Sequence, residues 1–147
     1  MPMNQILTCL EQKVIILTQI LNLTKQIEVR SNEPDIDLDN FLEQRGAYIV
    51  RVNKCDHLIH TLSKNLTVEE QKRLEWILLG ELSEAECNDE ELPLLRLSKD
   101  CTSLLERAAI IDQSARDAIQ KQCDELRKKV NDSRQNGNQE TMYGNIN

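Results

Sequence analysis

The sequence is poor in residues that interrupt helices and in aromatic residues. Its 147 residues include four glycines and three prolines, and the aromatic residues are one Trp, one Phe and two Tyr. Leucine, isoleucine, glutamate, glutamine, lysine and arginine are abundant instead, and these residues favour long helices. The composition therefore predicts an all-α protein.

Positive charge is also scarce. The chain has 18 Lys and Arg against 25 Asp and Glu, which gives a net charge of −7. Such a field repels phosphate backbones and anionic headgroups, so no nucleic-acid partner is expected. The N-terminus lacks a basic region, and Glu11 and Lys13 interrupt its apolar residues. We therefore expect neither a signal peptide nor membrane insertion, and we expect a cytoplasmic protein.

The cysteines show no pattern of a disulfide framework or a zinc site. They are odd in number and contain no C-x-x-C pair: Cys9, Cys55, Cys87, Cys101 and Cys123. Structural zinc sites and disulfide frameworks favour close pairs or an even set. We predict reduced cysteines that behave as small hydrophobic residues.

Two helices are predicted in the first half of the chain. Over about 4–30, two neighbouring apolar stripes run together, so this helix needs cover from two partners. Pro34 and its polar neighbours end it, and Asp35 or Asp37 can cap a second helix that continues to about 62–65. A short connection predicts an antiparallel hairpin. Arg45 interrupts the second apolar stripe, and its guanidinium is expected to reach a carboxylate or solvent.

A shorter helix should follow the hairpin. Thr67 and Glu70 have the spacing of a capping box, and Gly80 is placed to end the helix. Trp76 is interpreted as a buried anchor rather than an exposed contact, because a large aromatic side chain usually contributes core area.

An acidic segment separates the short helix from the last one. Six of the eleven residues over 81–91 are acidic and none is basic. We interpret it as a solvated loop that caps the following helix through Asn88 and Glu91, in preference to a calcium site. Pro93 fits this boundary, because a helix tolerates proline near its start.

The last helix is the longest predicted element. Apolar residues recur at spacings of three and four over 88–134, which indicates one helix of about 68 Å. The predicted fold is thus a hairpin, a short helix and a long C-terminal helix in an elongated, coiled-coil-like bundle. Residues 1–134 would form one domain, and 135–147 a flexible polar tail.

No constellation of catalytic residues is visible. His57 and His60 share a helix face, but no second cluster offers further metal ligands. Phosphate-binding loops and nucleophile elbows are absent from the sequence. We therefore predict no enzyme activity, no metal and no cofactor.

Binding through a helical surface is the remaining hypothesis. A hairpin of about 40 Å cannot cover a helix of about 68 Å, so the end of its apolar stripe should be left open for a partner. This end consists of Ile119, Cys123, Leu126 and Val130. The alternative is that the helix beginning at Thr67 folds over it.

The pattern resembles the flagellar export chaperones of the FlgN and FliT type. The resemblance rests on the double stripe of the first helix, on Asp37-Leu38, Phe41-Leu42, Arg45 and Tyr48-Ile49, and on the ending Met142-Tyr143-Gly144. Overall length favours the FlgN type.

This resemblance implies a cytosolic chaperone that holds hook-associated proteins until their export. Its substrate-binding helix would correspond to Ile119, Cys123, Leu126 and Val130, with Tyr143 as a further contact. The export apparatus is a further candidate partner. The alternative is a coiled-coil adaptor in which the same stripe forms a homodimer.

Overall fold

The computed structural model describes the backbone of residues 2–34 and 36–146 and the side chains of residues 3–34 and 36–135. The helices are α1 (Pro2–Ser31), α2 (Asp39–Ser63), α3 (Val68–Leu78) and α4 (Glu91–Ile146), with a 3₁₀ turn at Glu84–Glu86. No strand occurs in this part of the chain. The all-α prediction is therefore confirmed.

The helix α1 is the most completely buried element. It packs against both α2 and α4, as its two neighbouring stripes predicted. Its segment Met3–Ser31 is also long enough to cross a membrane and contains an 18-residue window with a mean hydropathy of 1.4. A helix at the centre of a bundle needs the same composition, because it is covered on two sides. The expected absence of membrane insertion stays a prediction.

Three apolar clusters follow one another along α1. The first surrounds Ile6 and Leu10, the second Leu17 and Ile20, and the third Ile27. Residues of α4 join them in the same order, and residues of α2 join them in the reverse order. The contributions of α4 are Leu94, Leu95, Cys101 and Ala115, and those of α2 and its flanks are Ile59, Val52 and Leu38.

Predicted caps define the ends of α3 and the start of α4. Thr67 and Glu70 form the capping box of α3, and Gly80, with φ of 72°, ends that helix. The N–H of Glu81 donates to the carbonyl of Trp76 at 2.9 Å, as in a Schellman motif. Before α4, Asn88 and Glu91 exchange hydrogen bonds of 2.8 and 3.0 Å. These cap predictions are confirmed.

One sequence expectation in this region is wrong, and another is met by a different residue position. Trp76 is 45% exposed, because α3 buries Leu74 and Ile77 on its opposite side. The expected cap of α2 is present at Asp37, because the Asp39 N–H, the first of α2, donates to the Asp37 Oδ1 at 3.3 Å, while Leu38 occupies the N-cap position and Asp35 lies outside the described residues.

The end of the last helix also differs from the expectation. The backbone of α4 is helical to Ile146, beyond the predicted end near residue 134. Residues 135–146 contain no proline, so nothing in their backbone chemistry forces the helix to stop. The proposed division into a bundle and a flexible tail at 135–147 stays a prediction.

Candidate partner-binding site

The predicted surface lies where α4 extends past the third cluster. We call Ile119, Cys123, Leu126 and Val130 the apolar strip. Ile119 is half-buried and packs on the third cluster, whereas Cys123 is exposed. Leu126 and Val130 are 63% and 42% exposed. The strip therefore starts in the core and continues onto the surface.

Helix lengths explain why the strip is uncovered. At 1.5 Å per residue, the 30 residues of α1 span about 45 Å and the 56 residues of α4 about 84 Å. The two helices begin side by side, because Ile6 shares a cluster with Leu94 and Leu95. Every described side chain of α4 after Gln122 is exposed.

The helix α3 does not cover the strip. Its buried residues Leu74 and Ile77 join Leu94 and Leu95 near the start of α4. The alternative that this short helix folds over the end of the stripe is therefore wrong. Its N-terminal cap at Thr67 follows α2 directly, so α3 stays at the end of the bundle where α2 finishes.

A groove of about 530 Å³ adjoins the strip. One wall is the connection between α1 and α2, and the other is α4. Its apolar lining comes from Pro34 and Ile36 together with three of the strip residues, and its polar lining includes Gln122, Glu125 and Lys129. The opposite charges of Glu125 and Lys129, four residues apart on α4, flank the exposed Leu126.

Gln122 fixes the wall of this groove. Its Nε2 donates to the carbonyl oxygens of Ser31 at 2.7 Å and Glu33 at 3.2 Å. Carbonyls at the end of a helix have no partner within the helix, so the amide satisfies the Ser31 carbonyl that α1 leaves open, together with the Glu33 carbonyl of the following connection. Our sequence reasoning missed this residue. The sequence feature that points to Gln122 is a polar residue at a position that shares a helix face with Ile119 and Leu126.

A charged network holds α2 and α4 together before the strip begins. The Arg45 guanidinium donates to the Asp112 carboxylate at 2.9 Å and to the Thr24 hydroxyl at 3.3 Å, so of the two expected outcomes, a carboxylate or solvent, the structure has the carboxylate. Arg116 donates to the other oxygen of Asp112. Burial alone raises the pKa of Asp112. The hydrogen bonds and charges of Arg45 and Arg116 lower this pKa by more than burial raises it, so the pKa of Asp112 lies below its usual value.

Other candidate chemical groups do not assemble into a site. His57 and His60 are exposed, and no three His, Cys, Asp or Glu side chains of the described residues are placed to hold a metal ion. Burial raises the pKa of the Cys9 and Cys101 thiols, which favours their unreactive protonated form. Tyr143 lies outside the residues whose side chains the structure describes.

Comparisons with protein-family models, curated proteins and solved structures give no match. The likeness to flagellar chaperones rests on the sequence pattern quoted above. Membership of this chain in that family is therefore a proposal.

The geometry suits the binding of an apolar helix face. The strip presents side chains at the spacing of one helix face, and the groove beside it is lined by both apolar and charged side chains. A second amphipathic helix placed there would bury Leu126 and Val130 and add to the third cluster. Such a contact is stabilised by about 25 cal/mol per Å² of apolar surface, less the cost of ordering the partner.

Proposed function

We propose that this protein is a cytoplasmic flagellar export chaperone of the FlgN and FliT type, with the FlgN type favoured. It binds hook-associated proteins through the apolar strip, and Tyr143 adds a contact. One observation carries the proposal: Leu126 and Val130 continue a core stripe onto a part of α4 that no other described helix covers. Exposed helical stripes of this kind are used to bind partner helices.

The proposed architecture is a hairpin of α1 and α2, the short α3 and the long α4 in an elongated, coiled-coil-like bundle. The order of the three clusters supports it, because α4 follows α1 and α2 reverses it. In this arrangement the bundle is a rigid base and the end of α4 is the binding element. Residues 1–134 form the domain, and 135–147 are a polar tail that can follow the bound partner.

The chaperone acts by occupying a surface that would otherwise self-assemble. A substrate whose terminal helices are amphipathic exposes an apolar face before assembly, and the strip covers that face in a mixed bundle. This function needs no reaction chemistry, metal or cofactor. The net charge of −7 disfavours nucleic acid, and the export apparatus is a further candidate partner.

Copurification with hook-associated and filament-cap proteins tests the proposal. The variant pair is Leu126→Asp with Val130→Asp, which places two charges on the strip. Ile110→Asp is the matched control, because Ile110 is a 73% exposed apolar residue of the same helix outside the strip. We expect a one-to-one complex with the wild type and with the control, and no complex with the double variant.

Two results would contradict the proposal. Equal loss of the complex in Ile110→Asp and in the double variant would show that the strip is not the contact. A folded helical protein that binds none of the candidates would favour the coiled-coil adaptor, in which the strip pairs with a second copy. Light scattering at low micromolar concentration detects that dimer, and Leu126→Asp should then dissociate it.

A further inference from the structure

A second cleft lies at the opposite end of the bundle from the apolar strip. It has a volume of about 570 Å³ and is bounded by all four helices. Between Ser98, which lines it, and Leu126 of the strip, α4 rises by about 42 Å. The cleft is therefore a separate surface, and its occupancy does not depend on the proposed chaperone function.

The lining combines an apolar floor with exposed apolar edges. Leu10, Ile59 and Leu74 are buried beneath it. Leu79 and Leu105 stand at its edges and are 64% and 49% exposed. Apolar side chains that are half exposed around a concave surface are typical of a site that a partner covers.

One polar group in the lining lacks a hydrogen bond. Ser98 is 5% exposed, and its hydroxyl oxygen has no partner among the described residues. Leaving a buried hydroxyl unpaired costs about 1–3 kcal/mol, so most such groups in proteins are satisfied. The oxygen itself is buried in this conformation, so an occupant with a polar side chain would recover part of that cost when the Ser98 side chain rotates its hydroxyl toward the cleft.

The charges in the cleft favour a basic occupant. Lys13 is neutralised, because its Nζ lies 2.7 Å from an Asp56 carboxylate oxygen. Glu75 also lines the cleft, and its carboxylate makes no ion pair within the described part of the chain. With His60 neutral, the formal charge of the lining is −1, from one cation and two carboxylates.

We propose that this cleft docks an amphipathic helix of a partner protein that carries lysine or arginine beside its apolar residues. The shape supports a helix, because the cleft is lined by α2 and α4, which both pack on α1, and by one side of α3. The partner's apolar residues contact Leu79 and Leu105, and its cation pairs with Glu75.

A synthetic peptide of about 14 residues, or about four turns, tests this site. It carries leucine at every third or fourth position and lysine elsewhere, and the comparison peptide carries glutamate instead of lysine. Binding is measured by isothermal titration calorimetry and by fluorescence of Trp76, the single tryptophan, which follows Glu75 on α3. We expect the lysine peptide to bind and the glutamate peptide not to bind.

The decisive variant is Thr102→Arg, which places bulk and positive charge in the cleft from an exposed position of α4. Ser114→Arg makes the same change on the exposed side of α4 outside the cleft. We expect Thr102→Arg to weaken binding by about tenfold or more, and Ser114→Arg to leave it within about twofold. Glu75→Gln should weaken it more than Glu69→Gln, which removes an exposed carboxylate elsewhere on α3.

Three results would overturn the proposal. If the lysine peptide does not bind, the cleft is not a docking site for a basic amphipathic helix. If Thr102→Arg and Ser114→Arg weaken peptide binding equally, the lysine peptide is attracted only by the net charge of the protein. Loss of binding in Leu126→Asp, with Thr102→Arg unaffected, would place the peptide on the apolar strip.

Discussion

At the scale of single residues, the carboxylate of Asp112 links α4 to α2 through ionic hydrogen bonds. Its carboxylate accepts from Arg45 of α2 at 2.9 Å and from Arg116 of its own helix at 2.9 Å. Its side chain is 23% exposed, so water screens these bonds only in part. Removing one partner from such a pair leaves a charge without its hydrogen bonds.

Replacing this carboxylate should change both stability and its pH dependence. The pKa of Asp112 is lower in the folded protein than in the unfolded chain, where it is about 3.9. The contribution of the ionised Asp112 carboxylate to the free energy of unfolding is therefore fully present above that value. It is lost as the pH falls through the pKa of the folded state. We expect Asp112→Asn to lower the free energy of unfolding by about 1–3 kcal/mol at neutral pH, and the difference from wild type to shrink in acid.

Urea denaturation at neutral pH and in acid measures this difference. Asp100→Asn is the control, since Asp100 is exposed on the same helix, and it should stay within about 0.5 kcal/mol of wild type. A difference that is unchanged in acid would contradict the assigned sign of the pKa shift.

Single residues show where sequence reasoning succeeds and where it stops. The sequence left two outcomes open for Arg45, a carboxylate partner or solvent, because the stem of a long cation can lie along an apolar stripe while its charged end leaves it. The identity of the partner, Asp112, was not predictable, since it lies 67 residues away in the chain. Trp76 was assigned to the core from residue type alone, whereas the face that α3 buries is set by where Leu74 and Ile77 meet α4.

Within the helical elements, replacing a glycine by alanine should change the stability of the protein in opposite directions at two positions. Gly46 lies inside α2, and a Cβ added there meets no atom within 4 Å. Gly80 has a φ of 72°, which an L-residue adopts at a cost. We expect Gly46→Ala to stabilise the protein by about 0.5–1 kcal/mol and Gly80→Ala to destabilise it by about 1–2 kcal/mol.

Thermal and urea unfolding of the two variants compares the same chemical change in two backbone conformations. Each variant is therefore the other's control. A destabilised Gly46→Ala protein would indicate that α2 has a neighbour at this position that the isolated chain lacks.

Gln122 should stabilise the junction of α1 and α4. Its amide donates to the carbonyls of Ser31 and Glu33, and these carbonyls lose a partner when it is removed. We expect Gln122→Ala to reduce the free energy of unfolding by about 1–2 kcal/mol. Gln120→Ala is the control, because among the described residues the Gln120 side chain bonds only to Asp124 of the same exposed helix face. A smaller effect for Gln122 than for Gln120 in urea unfolding would contradict this role.

Helix boundaries were predictable where a local cap defines them. Thr67, Gly80 and Asn88 act through neighbours within a few residues, so their spacing is visible in the sequence. The end of α4 has no such signal, and the backbone continues as a helix past residue 134. The groove beside the strip was also not predictable, because it depends on how Pro34 and Ile36 approach α4.

The whole molecule combines a covered helix with one that is too long to be covered. About 45 Å of α1 lies beside α4, which is about 84 Å long, and over the described part of α4 the last core contact and interhelix hydrogen bonds are those of Ile119 and Gln122. Helical stability in water comes mainly from packing of an apolar face rather than from helix propensity. The two parts of α4 must therefore differ in local stability although they belong to one helix.

Hydrogen exchange of backbone amides should show this difference. We expect strong protection in α1 and over residues 94–119 of α4, and weak protection over 126–135, where every side chain is exposed. A bound partner helix would cover the strip, so protection over 119–130 should rise while that of α1 stays the same. Uniform protection along α4 in the free protein would mean that a second copy already covers the strip. Mass spectrometry of the wild type beside Leu126→Asp distinguishes these cases, because the variant should lose protection only if such a dimer exists.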